Sequence, residues 1–311
     1  MSRQAALHPA EARKESFRRA ADTTITLSST LNATMNVHER KRSLSGPIAP
    51  SAFWHDMCTS DFAAIDPDRT IALLPVAAVE QHGPHLPLST DAVINEGIVH
   101  LMMRRLPADS SVLVLPAQTV GDSLEHTAFK GTLSVDLQAL LGLWLSIGHS
   151  VARAGVRKLV LFNSHGGQRA HVDQVALRLR VECGLLVVRA HSFAMGMPTG
   201  LFDDDEVTHG LHGGAVETSL MLHLRPDLVR HRALADFPSP ARRSADPNAI
   251  LGFEGTAGLG WMMQDVNPEG ACGNAASATA AKGERLLDHL ADRLVALLGE
   301  VARHPWPNRP A

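Results

Sequence analysis

One short segment of the sequence concentrates side chains that can bind a metal ion. Residues 80–91 hold two carboxylates and two imidazoles directly behind an apolar run that is typical of a buried strand. Carboxylate oxygens and neutral imidazoles suit borderline divalent ions such as zinc, manganese or iron. A bound cation also offsets the cost of holding such charges near a protein core. The segment therefore predicts a divalent metal site that performs hydrolytic chemistry on a bound water.

Three residues of this segment are the predicted ligands, namely Glu80, His82 and Asp91. Glu80 and His82 are two positions apart, so an extended backbone places both side chains on the same side. Asp91 follows a loop with two prolines that can fold back toward them. A carboxylate that uses both oxygens is the usual way to hold two cations a few Å apart, and we predict this bridging role for Asp91.

A second histidine motif follows another apolar run. His165 comes soon after residues 158–162, and two glycines follow it, which would let the backbone approach an ion or a substrate closely. In sheets of parallel strands, ligands bind at the carboxyl ends of the strands. We therefore expect His165 to lie beside the first cluster. The alternative is that residues 163–167 form only a structural turn.

A third candidate segment lies at the start of a predicted helix. His212 precedes this helix, and Glu217 falls within its first turns. We predict that His212 donates a proton to a leaving nitrogen, and that Glu217 either completes a metal shell or orients the hydrolytic water. The alternative is that His212 only caps the helix and Glu217 only complements its dipole. A further pair, Glu125 and His126, either structures a loop or forms a wall of the substrate pocket.

Bringing these residues together requires a sheet of parallel strands. Strand-like and helix-like patterns alternate four times along the chain, which predicts a mostly parallel sheet covered by helices and joined by right-handed crossovers. From about residue 198 to 268 the pattern loosens, and loops of this length are often functional. The predicted strands are residues 70–76, 112–116, 158–162 and 185–188, and the predicted helices are residues 92–105, 137–154, 169–183, 214–224 and 276–302.

The composition indicates one globular catalytic domain in a reducing compartment. With 29 basic and 32 acidic residues, the net charge of -3 offers no broad field for nucleic acid or an anionic membrane. Three distant cysteines indicate neither a disulfide framework nor a cysteine zinc site, so we expect a cytoplasmic protein. No apolar stretch is long enough to predict a membrane span. We predict a disordered tail over residues 1–46, a domain over 47–303 and a short tail over 304–311.

Other common catalytic motifs are missing from the sequence. It contains no Gly-x-Ser-x-Gly elbow, no Gly-x-x-x-x-Gly-Lys-Ser/Thr loop, and no Gly-x-Gly-x-x-Gly after the first predicted strand. The absence of these motifs from the sequence disfavours a serine nucleophile and nucleotide binding.

Taken together, the motifs resemble those of the creatininase family, also called creatinine amidohydrolases. The resemblance covers about residues 50–300. It implies a three-layer α/β/α sandwich around a mainly parallel sheet, usually assembled as a homo-oligomer and often as a hexamer. The segments that carry it are Glu-Gln-His-Gly-Pro-His-Leu-Pro at 80–87, Thr-Asp at 90–91, Asn-Ser-His-Gly-Gly at 163–167, His-Gly-Gly at 212–214, Glu-Thr-Ser at 217–219 and Gly-Ala-Cys-Gly-Asn at 270–274.

The resemblance also implies roles for individual residues. Glu80, Asp91 and His165 would bind one divalent ion, and His82 with Asp91 would bind a second. This pair of ions would activate a bridging water for attack on a carbon–nitrogen bond. His212 lies where the family places a catalytic histidine.

Two departures from the family pattern bear on the substrate. Creatinine-hydrolysing members carry a glutamate ligand of the second ion at the position of Gly167, and the loop before His212 lacks the tryptophan that those enzymes close over substrate. Relatives with His-Gly-Gly include formamide hydrolases acting on pyrimidine intermediates and peptidases that trim a redox-cofactor precursor. The prediction is therefore an amidohydrolase in which a metal-bound hydroxide attacks a small cyclic or linear amide.

Two alternative functions stay open at this point. One is a lactonase or sugar-ring hydrolase that uses the same dinuclear site on a carbon–oxygen or carbon–carbon bond. The other is a metal-holding assembly protein without turnover, in which the C-terminal helix packs subunits together.

Overall fold

The computed structural model describes residues 51–239, 250–253 and 257–305. The predicted tail over residues 1–46 lies outside the described residues, and so do residues 306–311 of the predicted C-terminal tail. Both tails stay predictions.

Five parallel strands form the central sheet of the described chain. Their order in the sheet is β1-β3-β2-β4-β5, and every neighbouring pair is parallel. After β2 the chain moves toward one edge, and after β4 it moves toward the other, so the topology switches direction between these two adjacent strands. Ligands of open α/β sheets bind at such a switch point. The strands are β1 (Ser51–Phe53), β2 (Ile71–Val76), β3 (Val112–Val114), β4 (Lys158–Asn163) and β5 (Leu186–His191).

Seven α-helices and two small ribbons complete the described structure. The helices are α1 (Thr90–Arg105), α2 (Leu137–Arg153), α3 (Arg169–Cys183), α4 (Asp204–His209), α5 (Ala215–Leu224), α6 (Met263–Val266) and α7 (Ala280–Arg303). The ribbons are β6 (Asp236–Phe237) with β9 (Gly273–Asn274), which is antiparallel, and β7 (Leu251–Gly252) with β8 (Ala257–Gly258), which is parallel.

The helices cover both faces of the sheet and give three layers. Side chains of β2 alternate between two apolar cores, as the two-residue period of a strand requires. Ile71 and Leu73 pack in one core with α1, α5 and α7, whereas Leu74 and Val76 pack in the other with α2 and α3. This arrangement confirms the predicted α/β/α sandwich around a parallel sheet.

Several element boundaries differ from the prediction. Helix α1 begins at Thr90, so Asp91 lies in its first turn and not in the loop before it. The predicted start of the last helix at residue 276 is wrong, because the Thr279 side chain accepts a hydrogen bond from the backbone of Lys282 and caps α7 there. Strand β5 continues to His191, three residues beyond the predicted end.

Besides the two small ribbons and helix α6, the sequence did not predict strand β1 or helix α4. Strand β1 pairs with β3 at the sheet edge, and its three residues are too few to give a periodic pattern. Helix α4 begins within the acidic run 203–206, in the stretch from about residue 198 to 268 where no regular pattern was predicted. Acidic side chains in a first turn favour a helix because they face the positive end of its dipole.

Helices α5 and α7 cross at very close range. A Cβ atom added to Gly283 of α7 would lie 1.9 Å from the backbone oxygen of Ser219 in α5. Only a glycine leaves room for this approach, which fixes α5 and the residues at its N-terminus against the longest described helix. Among the described residues, no helix is both long and apolar enough to cross a membrane.

Candidate metal centre

The centre begins where β2 and β4 end side by side. Val76 and Asn163, the last residues of these strands, are paired in register, so Glu80 and His165 leave the sheet at neighbouring points. The Asn163 side chain fixes the second turn, because its amide donates to the His165 carbonyl and its oxygen accepts from the His165 backbone N–H. Both Glu80 and His165 are 1% exposed.

A backbone carbonyl sets the direction of the His165 ring. Nε2 donates a hydrogen bond to the carbonyl oxygen of Asp122 at 2.9 Å. Nδ1 therefore turns inward, 3.2 Å from Oε1 of Glu80 and 3.5 Å from Oδ2 of Asp91. A ligand imidazole in a metalloprotein is held in this way, with one nitrogen hydrogen-bonded and the other available to the ion.

The ring of His82, which follows β2, is also oriented by a backbone carbonyl. Its Nδ1 donates to the carbonyl oxygen of Glu80 at 3.1 Å. Its Nε2 then lies 3.5 Å from Oδ1 of Asp91 and 3.6 Å from Oε1 of Glu217. The two predicted imidazole ligands, His82 and His165, thus face the two oxygens of one carboxylate.

Asp91 lies between these two rings because α1 starts one residue before it. The hydroxyl of Ser164 donates to the Asp91 carbonyl at 3.0 Å, which ties this first turn of α1 to the end of β4. The predicted metal ligands Glu80, His82, Asp91 and His165 therefore converge, and the alternative that residues 163–167 form only a turn accounts for none of these contacts.

His212 reaches the centre on a loop that pairs with Cys272. Its Nε2 donates to the carbonyl oxygen of Gln81 at 2.6 Å, and its Nδ1 lies 3.9 Å from Oε1 of Glu80. The ring lies against that of His82, with 4.1 Å between centroids. The N-cap of α5 is Gly214 with no side-chain cap, so the alternative that His212 only caps this helix is wrong.

Glu217 of α5 uses its two oxygens differently. Oε2 accepts a hydrogen bond from the backbone N–H of Gly213 at 2.6 Å, while Oε1 faces His82. Gly213 has a φ of 63°, a left-handed conformation that suits glycine, and it closes the turn that makes this contact. Glu217 therefore does more than complement the helix dipole.

Two further histidines take positions that the sequence did not predict. His126, predicted to structure a loop or form a wall, is 2% exposed and has Nε2 at 3.4 Å from Oε1 of Glu80. Its Nδ1 accepts from the Gln81 side-chain amide at 2.7 Å, so Nε2 carries the proton that faces Glu80. The adjacent polar pair at 125–126 was the only signal. His85 instead turns away, bonding Thr218 at 3.0 Å and stacking on Phe237.

The pKa shifts and the unpaired buried atoms of the cluster both favour a bound cation. Burial lowers the pKa of His165, but the Glu80 carboxylate beside it raises that pKa to about 10. Burial also raises the pKa of Asp91 to about 6. Three buried atoms of the cluster form no hydrogen bond, namely Oε2 of Glu80, Nε2 of His82 and Oδ2 of Asp91. Divalent cations bound in the cluster would satisfy them.

Three overlapping donor sets in the described residues have their ligand atoms within 4.8 Å of one another. The sets are Glu80 with Asp91 and His165, His82 with His212 and Glu217, and Glu80 with His126 and His212. Their chemistry, oxygen and imidazole nitrogen in a buried cluster, fits zinc, manganese or iron.

A cavity of about 340 Å³ opens onto this cluster. Its floor includes Glu80, Asp91 and His165, and Glu125 and Gly167 lie beside them. The remaining wall is largely apolar, with Phe193 and Trp261 among its residues. The cavity gives a small organic molecule direct access to the candidate metal centre.

This fold and this cluster define a hydrolase of the three-layer α/β/α class. The chain belongs to the creatininase family, whose model, described as creatinine amidohydrolase, matches residues 55–298. The protein is accordingly a creatininase-family amidohydrolase, an enzyme that hydrolyses carbon–nitrogen bonds.

Individual relatives differ in the reaction that their names describe. A mycofactocin precursor peptide peptidase of Mycolicibacterium smegmatis is 32% identical over 230 residues, which are 72% of this chain and 84% of that protein. A creatinine amidohydrolase of Pseudomonas putida is 31% identical over 185 residues, 54% of this chain and 69% of that protein. A solved mutant creatininase of Zn-Zn type is similar in fold, with a TM-score of 0.65 and 24% identity over 81% of this chain and 98% of its own.

Proposed function

We propose that this protein is a dinuclear metal-dependent amidohydrolase that cleaves a small cyclic or linear amide. One observation carries the proposal: the imidazoles of His82 and His165, which follow the ends of the neighbouring strands β2 and β4, face the two oxygens of Asp91. Each ring has its other nitrogen hydrogen-bonded to a backbone carbonyl, so each offers one nitrogen to the centre. This is the donor geometry that a pair of cations requires.

We assign one ion to Glu80, Asp91 and His165, and the second to His82, Asp91 and Glu217. The second assignment uses Glu217 because its Oε1 faces His82, and because the position of Gly167 has no side chain to offer. The Zn-Zn type of the related creatininase supports two ions of zinc. Bound divalent ions supply a water of lowered pKa and polarise the carbonyl group of the substrate.

The residues of the chain then have to orient the substrate and move one proton. We propose that Nδ1 of His212 accepts a proton from the attacking water and passes it to the departing nitrogen as the carbon–nitrogen bond breaks. The hydrogen bond from Nε2 to the Gln81 carbonyl holds the ring in the required tautomer. His126, whose Nε2 lies 3.4 Å from Oε1 of Glu80, helps to hold that carboxylate in place.

A linear amide is the better-supported substrate. The relative named as a peptide peptidase aligns with 72% of this chain, against 54% for the creatinine amidohydrolase. A cavity of about 340 Å³ with an apolar wall also has room for a side chain next to the scissile bond. Release of product from a panel of creatinine, formamides, hydantoin-like rings, amino-acid amides and small lactones separates amide from ester chemistry.

The metal content of purified protein tests the proposal directly. We expect two divalent ions per chain by elemental analysis, and we expect Asp91→Asn to lose most of both because neither ion keeps a full set of donors. Asp109→Asn is the matched control, since Asp109 is exposed and distant from the cluster in sequence. Unchanged metal content and activity in Asp91→Asn would show that the bridging assignment is wrong.

A further inference from the structure

Glu125 is an acidic side chain of the cavity that the proposed chemistry does not use. It lies in a short 3-10 helix, Leu124–His126, and its carboxylate stands directly above Gly167. A Cβ atom added to Gly167 would lie 1.8 Å from Oε1 of Glu125. The missing side chain at position 167 is therefore what gives this carboxylate its place beside His165.

The other acids around the cavity already have a role. Glu80, Asp91 and Glu217 belong to the candidate metal centre, and Glu206 accepts hydrogen bonds from the backbone N–H groups of Ala215 and Asn274. Glu125 belongs to neither group.

Glu125 differs from them because it lacks a strong donor. Its nearest ionisable neighbour is His165, whose Nε2 is 3.6 Å away and already gives its proton to the Asp122 carbonyl. No lysine or arginine within the described residues forms an ion pair with it. The side chain is only 18% exposed. A carboxylate that is largely removed from water gains from a charged donor, so a donor from outside the chain would be favourable here.

The cavity wall indicates which kind of substituent would lie next to that donor group. Beyond Glu125 and the metal centre the lining is mostly apolar, with Phe193, Met197, Leu211 and Trp261. Its basic residue is Arg169, whose guanidinium lies 5.0 Å from the centroid of the Phe193 ring. An ammonium group bound by Glu125 would therefore sit next to an apolar substituent, and both would lie beside the metal centre.

We propose that Glu125 binds the ammonium group of the substrate, and that the substrate is a linear amide of an apolar amino acid with a free amino group. The inference rests on the proposed amidohydrolase function and specifies its substrate class. Glu125 is a specificity residue in this proposal, and no bond is formed or broken at it.

A binding measurement tests this without turnover. Ligand-observed NMR titrations of the metal-loaded protein would compare 3-methylbutylamine, a cation at neutral pH, with 3-methylbutanol, which is neutral and of the same shape. We expect the amine to bind about tenfold more tightly or better, in line with a charge-assisted hydrogen bond. Equal binding of the two probes to the wild-type protein would overturn the proposal.

Two variants test whether Glu125 is the source of the preference for the amine over the alcohol. In Glu125→Gln the amine should lose its advantage while the alcohol binds as before, and in Gly167→Ala the same loss is expected because the added Cβ displaces the carboxylate. Glu284→Gln, which alters an exposed acid of α7, should leave the preference intact. A full preference for the amine in Glu125→Gln contradicts the assignment.

Kinetics with two amides separate recognition from chemistry. For L-leucinamide, Glu125→Gln should raise KM by about tenfold with kcat little changed, and for N-acetyl-L-leucinamide it should change neither. An equal fall in kcat for both amides would place Glu125 in the reaction itself and overturn its role as a specificity residue. The outcome is distinct from failure of the proposed function, which would appear as wild-type protein without a metal pair.

Discussion

At the scale of single residues, backbone carbonyls decide what the imidazoles can do. His82, His165 and His212 donate to the carbonyl oxygens of Glu80, Asp122 and Gln81 respectively. Because a carbonyl only accepts, each of these nitrogens must carry the proton, and the other nitrogen of each ring points into the cluster. The tautomers are thus set by main-chain geometry, independently of any neighbouring side chain.

One buried carboxylate holds the loop that carries His212. Oε1 and Oε2 of Glu206 accept hydrogen bonds from the backbone N–H groups of Ala215 and Asn274 at 2.5 and 2.6 Å. We expect Glu206→Gln to lower the free energy of unfolding by about 2 kcal/mol, because the new amide group faces a donor and a charge-assisted bond is lost. Urea unfolding measures the change.

The matched control for this variant is Asp204→Asn, which alters an exposed residue of the same helix, α4. It should leave both stability and kcat close to those of the wild type. In Glu206→Gln, kcat should fall as well, because the segment that begins at His212 is no longer fixed. If Glu206→Gln were as stable as Asp204→Asn, the anchoring role would be refuted.

At the scale of elements, the contact between α5 and α7 positions Glu217. The two helices pack with Gly283 against Ser219, and the same α5 carries Glu217 two residues earlier. A stripe of buried leucines on α7, from Leu286 to Leu298, completes this contact with the core. These leucines belong to the apolar core that also contains residues of α1, α5 and β2.

Two glycines of α7 give a paired test of this contact. Gly283→Ala should destabilise the protein by about 3 kcal/mol, the upper end of the usual overpacking cost, since its Cβ meets rigid backbone at 1.9 Å. Gly299→Ala should stabilise it by up to about 1 kcal/mol through helix propensity, because its Cβ meets only the flexible end of Arg303. Chemical denaturation of both variants measures the two effects. Similar stability changes in the two variants would contradict the close approach of α5 and α7.

At the scale of the whole molecule, the centre joins segments that are far apart in the chain. Glu80 follows β2, His165 follows β4, and Glu217 belongs to α5. Cations bound among these ligands would link the sheet to the helical layer on one face. Binding that is specific to the folded state adds to stability by mass action.

Removal of metal should therefore lower Tm. At a free metal concentration of 100 times Kd, each site would contribute about 2.7 kcal/mol, which corresponds to roughly 5–10 °C for a domain of this size. Differential scanning calorimetry with and without a chelator measures the shift. Asp91→Asn should show little further change on chelation. Identical Tm values for treated and untreated wild-type protein would contradict a metal centre within the fold.

Local patterns in the sequence predicted most of the fold and most residues of the candidate site. Apolar runs alternating with helical periodicity predicted four strands of the parallel sheet, and this topology placed the segments after residues 76 and 162 at one edge. The predicted set Glu80, His82, Asp91, His165, His212 and Glu217 follows from residue type and position after these elements. A strand or helix constrains distances along the chain, which is why such predictions succeed.

Tertiary structure alone decided which of these groups meet, and how. Spacing within residues 80–91 favoured His82 as a ligand, but it did not predict that His85 would turn away and pack on Phe237. Local spacing also could not predict the contact of His126 with Glu80, because the two residues are 46 positions apart in the chain. The space above Gly167 is likewise filled by Glu125 from another segment. Ring orientation and long-range contacts depend on the packing of remote segments, and a local pattern contains no information about that packing.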